Sequence, residues 1–220
     1  MKKLILGLFT LTLIAIAAPA SAQLVLTLWD GTNIDTVYDD DNDGFLIRTG
    51  AFGTWNVNVT TALGNPTVGD QYNDVVDLNS VDVSGGADGG QLYIFLTQTD
   101  LGRAPAPWFA KIGGTSKGNV AFAAAYDAGN TAYIPTVSEL ISGVLFETDQ
   151  FSGAFAYSMS GALPDFAGPY SLTLASVITH TAAGQNTSYD FEITIPEPAT
   201  LLLMGVGLVG IGFASKRRKS

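Results

Sequence analysis

The 220-residue chain contains no cysteine. Disulfide staples, thiol nucleophiles and cysteine-based metal sites are all excluded. A domain of this length can still bury a core without cross-links. Histidine is nearly absent: His180 stands alone, and one histidine cannot build a multi-histidine metal site. Basic residues are few, and most sit at the ends. Lys2, Lys3, Lys216, Arg217, Arg218 and Lys219 are six of the ten. Between Gln23 and Pro198, four basic residues (Arg48, Arg103, Lys111 and Lys117) face all twenty acidic ones, a net charge of −16. Such a body is soluble and repels phosphate backbones and anionic lipid. It excludes nucleic acid as a partner and admits divalent cations.

Long helical patterns are also scarce, and what fills the body is alternation. In "TWNVNVTT", Trp55, Val57 and Val59 alternate with Asn56, Asn58 and Thr60, the period of a half-buried strand. "QLYIFLTQ" places Leu92, Ile94 and Leu96 on one face and Tyr93 and Phe95 on the other, which suits a strand covered on both faces. "NVAFAAAYD" aligns Val120, Phe122, Ala124 and Tyr126, and "FSGAFAYSM" aligns Phe151, Phe155, Tyr157 and Met159. "YSLTLASVITHT" and "YDFEITI" flank "AAGQNTS", which predicts a hairpin around a Gly-Gln-Asn turn. "SGGADGG" and "GNPTVGD" are loop signals. One short helix is expected in "PTVSELISGV", with Ser138 as its cap. Many short strands and little helix predict an all-β body, an antiparallel β-sandwich of jelly-roll type, over residues 23–195.

The two ends read as processing segments. Lys2 and Lys3, the apolar run Leu4–Ala18 and the small residues Ala20-Ser21-Ala22 make residues 1–22 a secretory signal peptide, cut ahead of Gln23. At the other end, Gly205, Gly207 and Gly210 spell G-x-G-x-x-G. A dinucleotide loop needs a preceding strand, a following helix and an acid further on, and no acid follows Gly210. Ala199–Ala214 is instead uncharged and mostly apolar. As a helix it spans roughly 24 Å, against a hydrocarbon core of ~30 Å, short but tolerable with local thinning. Lys216, Arg217, Arg218 and Lys219 then form a cytoplasmic basic cluster, with the body outside.

Pro196-Glu197-Pro198, an apolar helix and a basic cluster, in that order, resemble the PEP-CTERM sorting signal over residues 196–220. The resemblance implies a Gram-negative bacterium that makes exopolysaccharide. It implies recognition near Pro196, Glu197 and Pro198 by an exosortase, a membrane cysteine protease-transpeptidase-like enzyme. The tail would anchor a precursor in the inner membrane, after which the body reaches the cell surface or extracellular matrix. "GTWNVNVTTALGNP", "GGQLYIFLTQTDL" and "ITHTAAGQNTSYDFEI" are similar to the β-rich extracellular domain of such proteins across Ile34–Glu192. That likeness implies a β-sandwich and no activity.

Three motifs bear on chemistry. Asp39–Gly44, "DDDNDG", matches D-x-[DN]-x-[DN]-G. Asp39, Asp41 and Asp43 would offer carboxylates at loop positions one, three and five, and the Phe45 carbonyl would follow at seven. Gly50 replaces the bidentate glutamate at twelve. The alternatives are a calcium loop between strands, with Asp40, Asn42 or Asp35 completing the shell, and a solvated acidic turn. Calcium is the one cofactor the sequence admits. "GTSKG" matches G-x-S-x-G, and Ser116, an Asp such as Asp149 or Asp165, and His180 follow in hydrolase order. The elbow needs a helix after the serine, whereas "NVAFAAAYD" reads as strand. His180 is expected at the core edge or surface of its strand. Trp29, Trp55 and Trp108 could stack on sugars, though Trp55 reads as core. The expectation is a non-enzymatic surface or matrix protein, with a carbohydrate-binding or polysaccharide-active protein of the exopolysaccharide matrix as the alternative. A tryptophan-lined cleft or two close carboxylates would favour the alternative.

Overall fold

Alternation along the chain becomes strand after strand. The computed structural model describes residues 23–69, 73–85, 90–102, 106–132, 143–165 and 168–196. The signal-peptide segment, the tail beyond Pro196 and most of the short-helix segment lie outside these residues. Every regular element described is a strand: β1 (Leu24–Trp29), β2 (Ile34–Tyr38), β3 (Phe45–Phe52), β4 (Trp55–Leu63), β5 (Asn73–Gly85), β6 (Gly90–Leu101), β7 (Pro107–Asp127), β8 (Gly143–Glu147), β9 (Phe151–Ala162), β10 (Tyr170–His180) and β11 (Asn186–Pro196). All ladders are antiparallel. Among the described residues no helix is long and apolar enough to cross a membrane.

The strands follow the order β2-β1-β6-β10-β7-β11-β5-β4-β3, with β8 and β9 also on β7. The 21-residue β7 is the pivot. Its residues 119–127 pair with β10, with β8 on the opposite edge. Its residues 109–116 pair with β11, with β9 on the opposite edge. One strand therefore serves two sheets: β2-β1-β6-β10 on one side and β11-β5-β4-β3 on the other. Strands that switch sheets make the corners of such sandwiches. The two ends of the path approach each other, where Arg48 Nε on β3 donates to Asp35 Oδ2 on β2 at 2.9 Å. The all-β, jelly-roll-like sheet is nearly closed.

The inward residues of both sheets meet in one core. Leu24, Leu26, Leu92, Ile94, Leu96 and Leu174 come from the first sheet, and Val57, Val59, Leu78, Val81, Phe191 and Ile193 from the second. Phe122 of β7 sits edge-on to Tyr189 and Phe191, with centroids 5.0 and 5.5 Å apart. Each such pair adds about 0.5–1.5 kcal/mol beyond the area it buries. The Tyr189 hydroxyl meets the Ser176 hydroxyl at 2.5 Å, so two polar groups of the core satisfy each other across the sheets. β6 lies between β1 and β10 with Leu92, Ile94, Phe95 and Leu96 all buried, as its apolar run predicts.

Two expectations are corrected. β10 and β11 are not a hairpin: they lie end to end along the same edge of β7, one in each sheet. The loop between them follows β7 around its corner. Gln185 Oε1 accepts from the Thr181 and Ala182 amides at 2.6 and 3.0 Å, and its Nε2 donates to the Lys117 carbonyl at 2.7 Å. Inward–outward alternation is identical in a hairpin and in this crossing, so period two could not separate them. Tyr157, aligned with Phe151 and Phe155 in the sequence, is 47% exposed, because β9 is an edge strand that pairs only with β7 among the described residues.

The corner explains the glycines of "GGTSKG". A Cβ on Gly114 would stand 2.3 Å from the Ser188 carbonyl oxygen, and one on Gly118 would stand 2.3 Å from the Thr179 carbonyl oxygen. β11 presses on the strand at the first position and β10 at the second. Neighbouring Gly113 has nothing nearer than 4.0 Å. Gly114→Ala is expected to destabilise the fold by about 1–3 kcal/mol through overpacking. Gly113→Ala should stay within about 0.5 kcal/mol of the parent. Chemical denaturation of the two variants checks this, and equal stabilities would refute the close approach at the corner.

Candidate functional site

The acidic loop leaves β2 at Tyr38 and enters β3 at Phe45. Asp39 is buried, whereas Asp41 and Asp43 are exposed. One carboxylate oxygen from each lies within 4.8 Å of the others, so the structure brings the three predicted acids together. Asp39 already has a structural task. Its Oδ1 accepts the Asp43 amide at 3.2 Å and its Oδ2 accepts the Gly44 amide at 2.8 Å. Asp43 Oδ1 accepts the Phe45 amide at 2.9 Å. Burial, together with the carboxyls of Asp41 and Asp43, raises the Asp39 pKa, while the two amides oppose the rise. Gly44 takes φ +77°, packed against the backbone of Gly64 and Asn65, where only glycine fits. Phe45 pairs with Leu63 as the first residue of β3. The loop can receive a hard cation through its converging oxygens. Its shape is already accounted for by its own backbone hydrogen bonds.

The G-x-S-x-G serine is drawn into the corner. Ser116 Oγ is 2.7 Å from Thr187 Oγ1, which is 3.0 Å from His180 Nε2. His180 Nδ1 lies 2.8 Å from the Gly85 carbonyl. A carbonyl can only accept, so Nδ1 carries a proton, and in the neutral ring Nε2 then accepts from Thr187. A threonine thus stands between serine and imidazole, and a backbone carbonyl occupies the place a triad gives to a carboxylate. Ser116, Thr187 and His180 are all buried. His180, expected at the core edge or surface, is 0% exposed and packs against Trp55 at 5.0 Å. The three polar side chains satisfy one another where β7, β10 and β11 meet.

Two carboxyls do come close, at a place spacing alone does not show. Asp77 of β5 stands opposite Glu192 of β11, which stands opposite Lys111 of β7. Lys111 Nζ is 3.6 Å from Glu192 Oε1. Asp190, two residues along, accepts the Ser80 amide at 2.7 Å and pins the bulge in β5. Burial pushes Asp77 up to about 6, aided by the charges of Glu192 and Asp190 and opposed by the Asn79 side-chain amide. Recognising this group requires the β5–β11 register, which the sequence does not state. Beside it, Asn56, Asn58, Asp82, Ser84, Asn186 and Thr187 line an open polar groove of about 270 Å³. Trp55 and Trp108 are core residues. Trp29 packs on Tyr93 at 4.8 Å in the other sheet, away from this groove.

The raised pKa of Asp77 gives stability a pH dependence. The unfolded group titrates near 3.8 and the folded one near 6. Below 3.8 both states are protonated and there is no penalty. Between the two values the native state keeps its proton while the unfolded state releases it, so stability falls as pH rises. Above 6 the full penalty is present. Asp77→Asn is expected to be more stable than the parent above pH 6, on the order of 1–2 kcal/mol after allowance for solvent screening, and equal to it near pH 3.5. Thermal melts across that range check it, and an offset independent of pH would exclude titration as the cause.

No curated protein matches the chain. Among solved structures it is similar to the enzymatically active domain of tailspike protein 4 of bacteriophage CBA120, at 12% identity and TM-score 0.35, over 64% of this chain and 20% of that one. It is also similar to the K1 cleaved adhesin domain of Lys-gingipain from Porphyromonas gingivalis, at 10% identity and TM-score 0.33, over 70% of this chain and 98% of that one. The C-terminal CBM6 of the laminarinase LamC from Zobellia galactanivorans is a third, at 16% identity and TM-score 0.27, over 56% of this chain and 90% of that one. Likenesses this distant assign no activity to the chain. The tail is specific: residues 194–219 match the PEP-CTERM protein-sorting motif, and the chain is a protein that carries a PEP-CTERM sorting tail.

Proposed function

We propose that the chain is an exported, non-enzymatic protein of the cell surface or extracellular matrix, delivered through its tail by an exosortase. The observation that carries this reading is the sorting motif at residues 194–219. The order of Pro196-Glu197-Pro198, apolar segment and basic cluster fits a precursor held in the inner membrane with its body outside. The burial of Ser116 and His180, with Thr187 between them, supports a structural reading of the corner. Changing Pro196, Glu197 and Pro198 together to alanine is expected to hold the protein in the inner-membrane fraction. Cell fractionation with an antibody to the body reads the result. Unchanged release or surface display would sink the exosortase reading.

A second reading, carbohydrate binding, has one observation in its favour. The groove beside Asp82 presents the amides of Asn56, Asn58 and Asn186, a carboxylate and the Ser84 hydroxyl. Paired donors and acceptors of this kind suit the hydroxyls of a polysaccharide. On this reading the exported protein retains glycans from its own exopolysaccharide, and Asp82→Ala abolishes retention. A glycan array probed with both forms tests it; no retention by the parent, or equal retention by the variant, refutes it.

A further inference from the structure

We infer that the crevice between the β8–β9 link and β9, walled by Phe151 and Tyr157 and rimmed by Glu147 and Asp149, binds the ammonium-bearing ring of an amino sugar. It shares no lining residue with the groove beside Asp82 and rests on neither reading proposed above.

The fold builds this place at the corner of β7. β8 and β9 lie along one edge of that strand, and residues 148–150 join them. Thr148 clamps the link: its amide donates to the Phe122 carbonyl at 2.9 Å, and its Oγ1 accepts the Phe122 amide at 3.0 Å. Glu147 and Asp149 stand on either side of this pinned residue. Both line an open pocket of about 380 Å³, together with Thr148, Phe151 and Tyr157. Small-molecule sites commonly fall between roughly 300 and 1,000 Å³.

The aromatic wall is anchored in the core. Phe151 packs on Phe122 and Phe155, with centroids 6.1 and 5.1 Å apart, and Tyr157 leans on Phe151 at 5.9 Å. Phe155 and Met159, which alternate with Tyr157 on the same face of β9, pack against the core. Tyr157 is left 47% exposed. A ring held at its base and bare above offers the apolar C–H face of a pyranose a place to rest.

The rim is negative and uncommitted. Among the described residues neither Glu147 nor Asp149 has an ion-pair or hydrogen-bond partner. Asp30, Asp35, Asp39, Asp190 and Glu192, by contrast, each hold a backbone amide or a basic side chain. No basic residue is among those that line the pocket. An exposed carboxylate alone holds a cation weakly. A cation set over an aromatic face between two carboxylates also gains the attraction of the ring and charge-assisted hydrogen bonds. Calcium would use the carboxylates and gain nothing from the rings, since it takes oxygen ligands. A neutral sugar would use the rings and leave both charges without a counter-ion. A free amino group on a sugar ring answers both features.

The test compares one sugar backbone with and without its charge. The full chain in mild detergent is titrated by calorimetry with a β-1,4-linked glucosamine trimer and with the N-acetylated trimer, below neutral pH so that the amine is protonated. Salt is held at about 0.15 M, where a Debye length of about 8 Å screens the general attraction of the acidic body for cations. The amine form is expected to bind about tenfold more tightly than the N-acetylated form. Tyr157→Ala and Asp149→Asn should each weaken it about three- to tenfold. Asp165→Asn removes an equally exposed charge outside the pocket and should leave binding within about twofold. Circular dichroism confirms that these exposed variants stay folded. No binding of the amine form, equal binding of the two trimers, or an equal loss in Asp165→Asn would each overturn the proposal. So would binding of Nα-acetyl-lysine amide as tight as that of the trimer, which would give the pocket to a protein side chain.

Discussion

The close approach of β7 to β10 and β11 is the constraint on which the rest of the structure depends. A 21-residue strand that serves one sheet with its first half and another with its second must be shared at a corner. There the backbones of three strands crowd together, and Gly114 and Gly118 are the positions where a side chain would collide. Ser116 lies between them, buried, and its hydroxyl enters a chain through Thr187 and His180 to the Gly85 carbonyl. Buried polar groups must find partners or cost about 1–3 kcal/mol each, and these find one another. A constellation that suggests nucleophilic chemistry on paper is the polar lining of a corner.

The distribution of charge follows from the same architecture. Of the four basic residues in the body, Arg48 ties β3 to β2 and Lys111 stands beside Glu192. Some of the acids cluster, in the Asp39–Asp43 loop and around Asp77, Asp190 and Glu192. Within the loop, backbone amides hold Asp39 and Asp43. On the sheet face, one lysine answers several carboxyls, and Asp77 keeps its proton to a higher pH than an ordinary aspartate.

Much of the fold was legible in the sequence because alternation has a direct physical cause: successive strand side chains point to opposite faces. Trp55, Val57 and Val59 in β4, and Tyr189, Phe191 and Ile193 in β11, are buried as period two requires. What alternation does not encode is which strand lies beside which. The β10–β11 segment reads as a hairpin because its two halves alternate and a turn separates them, yet both halves are laid along β7. Tyr157 matches Phe155 in pattern but is exposed on an edge strand that pairs only with β7 among the described residues. The Asp39–Asp43 cluster was legible because all its members lie within five residues. The Asp77–Glu192 pair was not, since its members meet only through the register of β5 on β11. Local chemistry survives in the sequence, and cross-strand chemistry waits for topology.

The tail and the body are mechanically one unit at their junction. The sorting motif begins at residue 194, while β11 runs to Pro196. Thr194 pairs with both Val75 and Phe109, and Pro196 pairs with Asn73. The first residues of the motif are therefore part of a strand in the middle of the second sheet. Proline at that point has no amide to donate to the ladder. No flexible spacer separates the ladder from the motif. An enzyme that recognises Pro196-Glu197-Pro198 must then work against the end of a folded sheet.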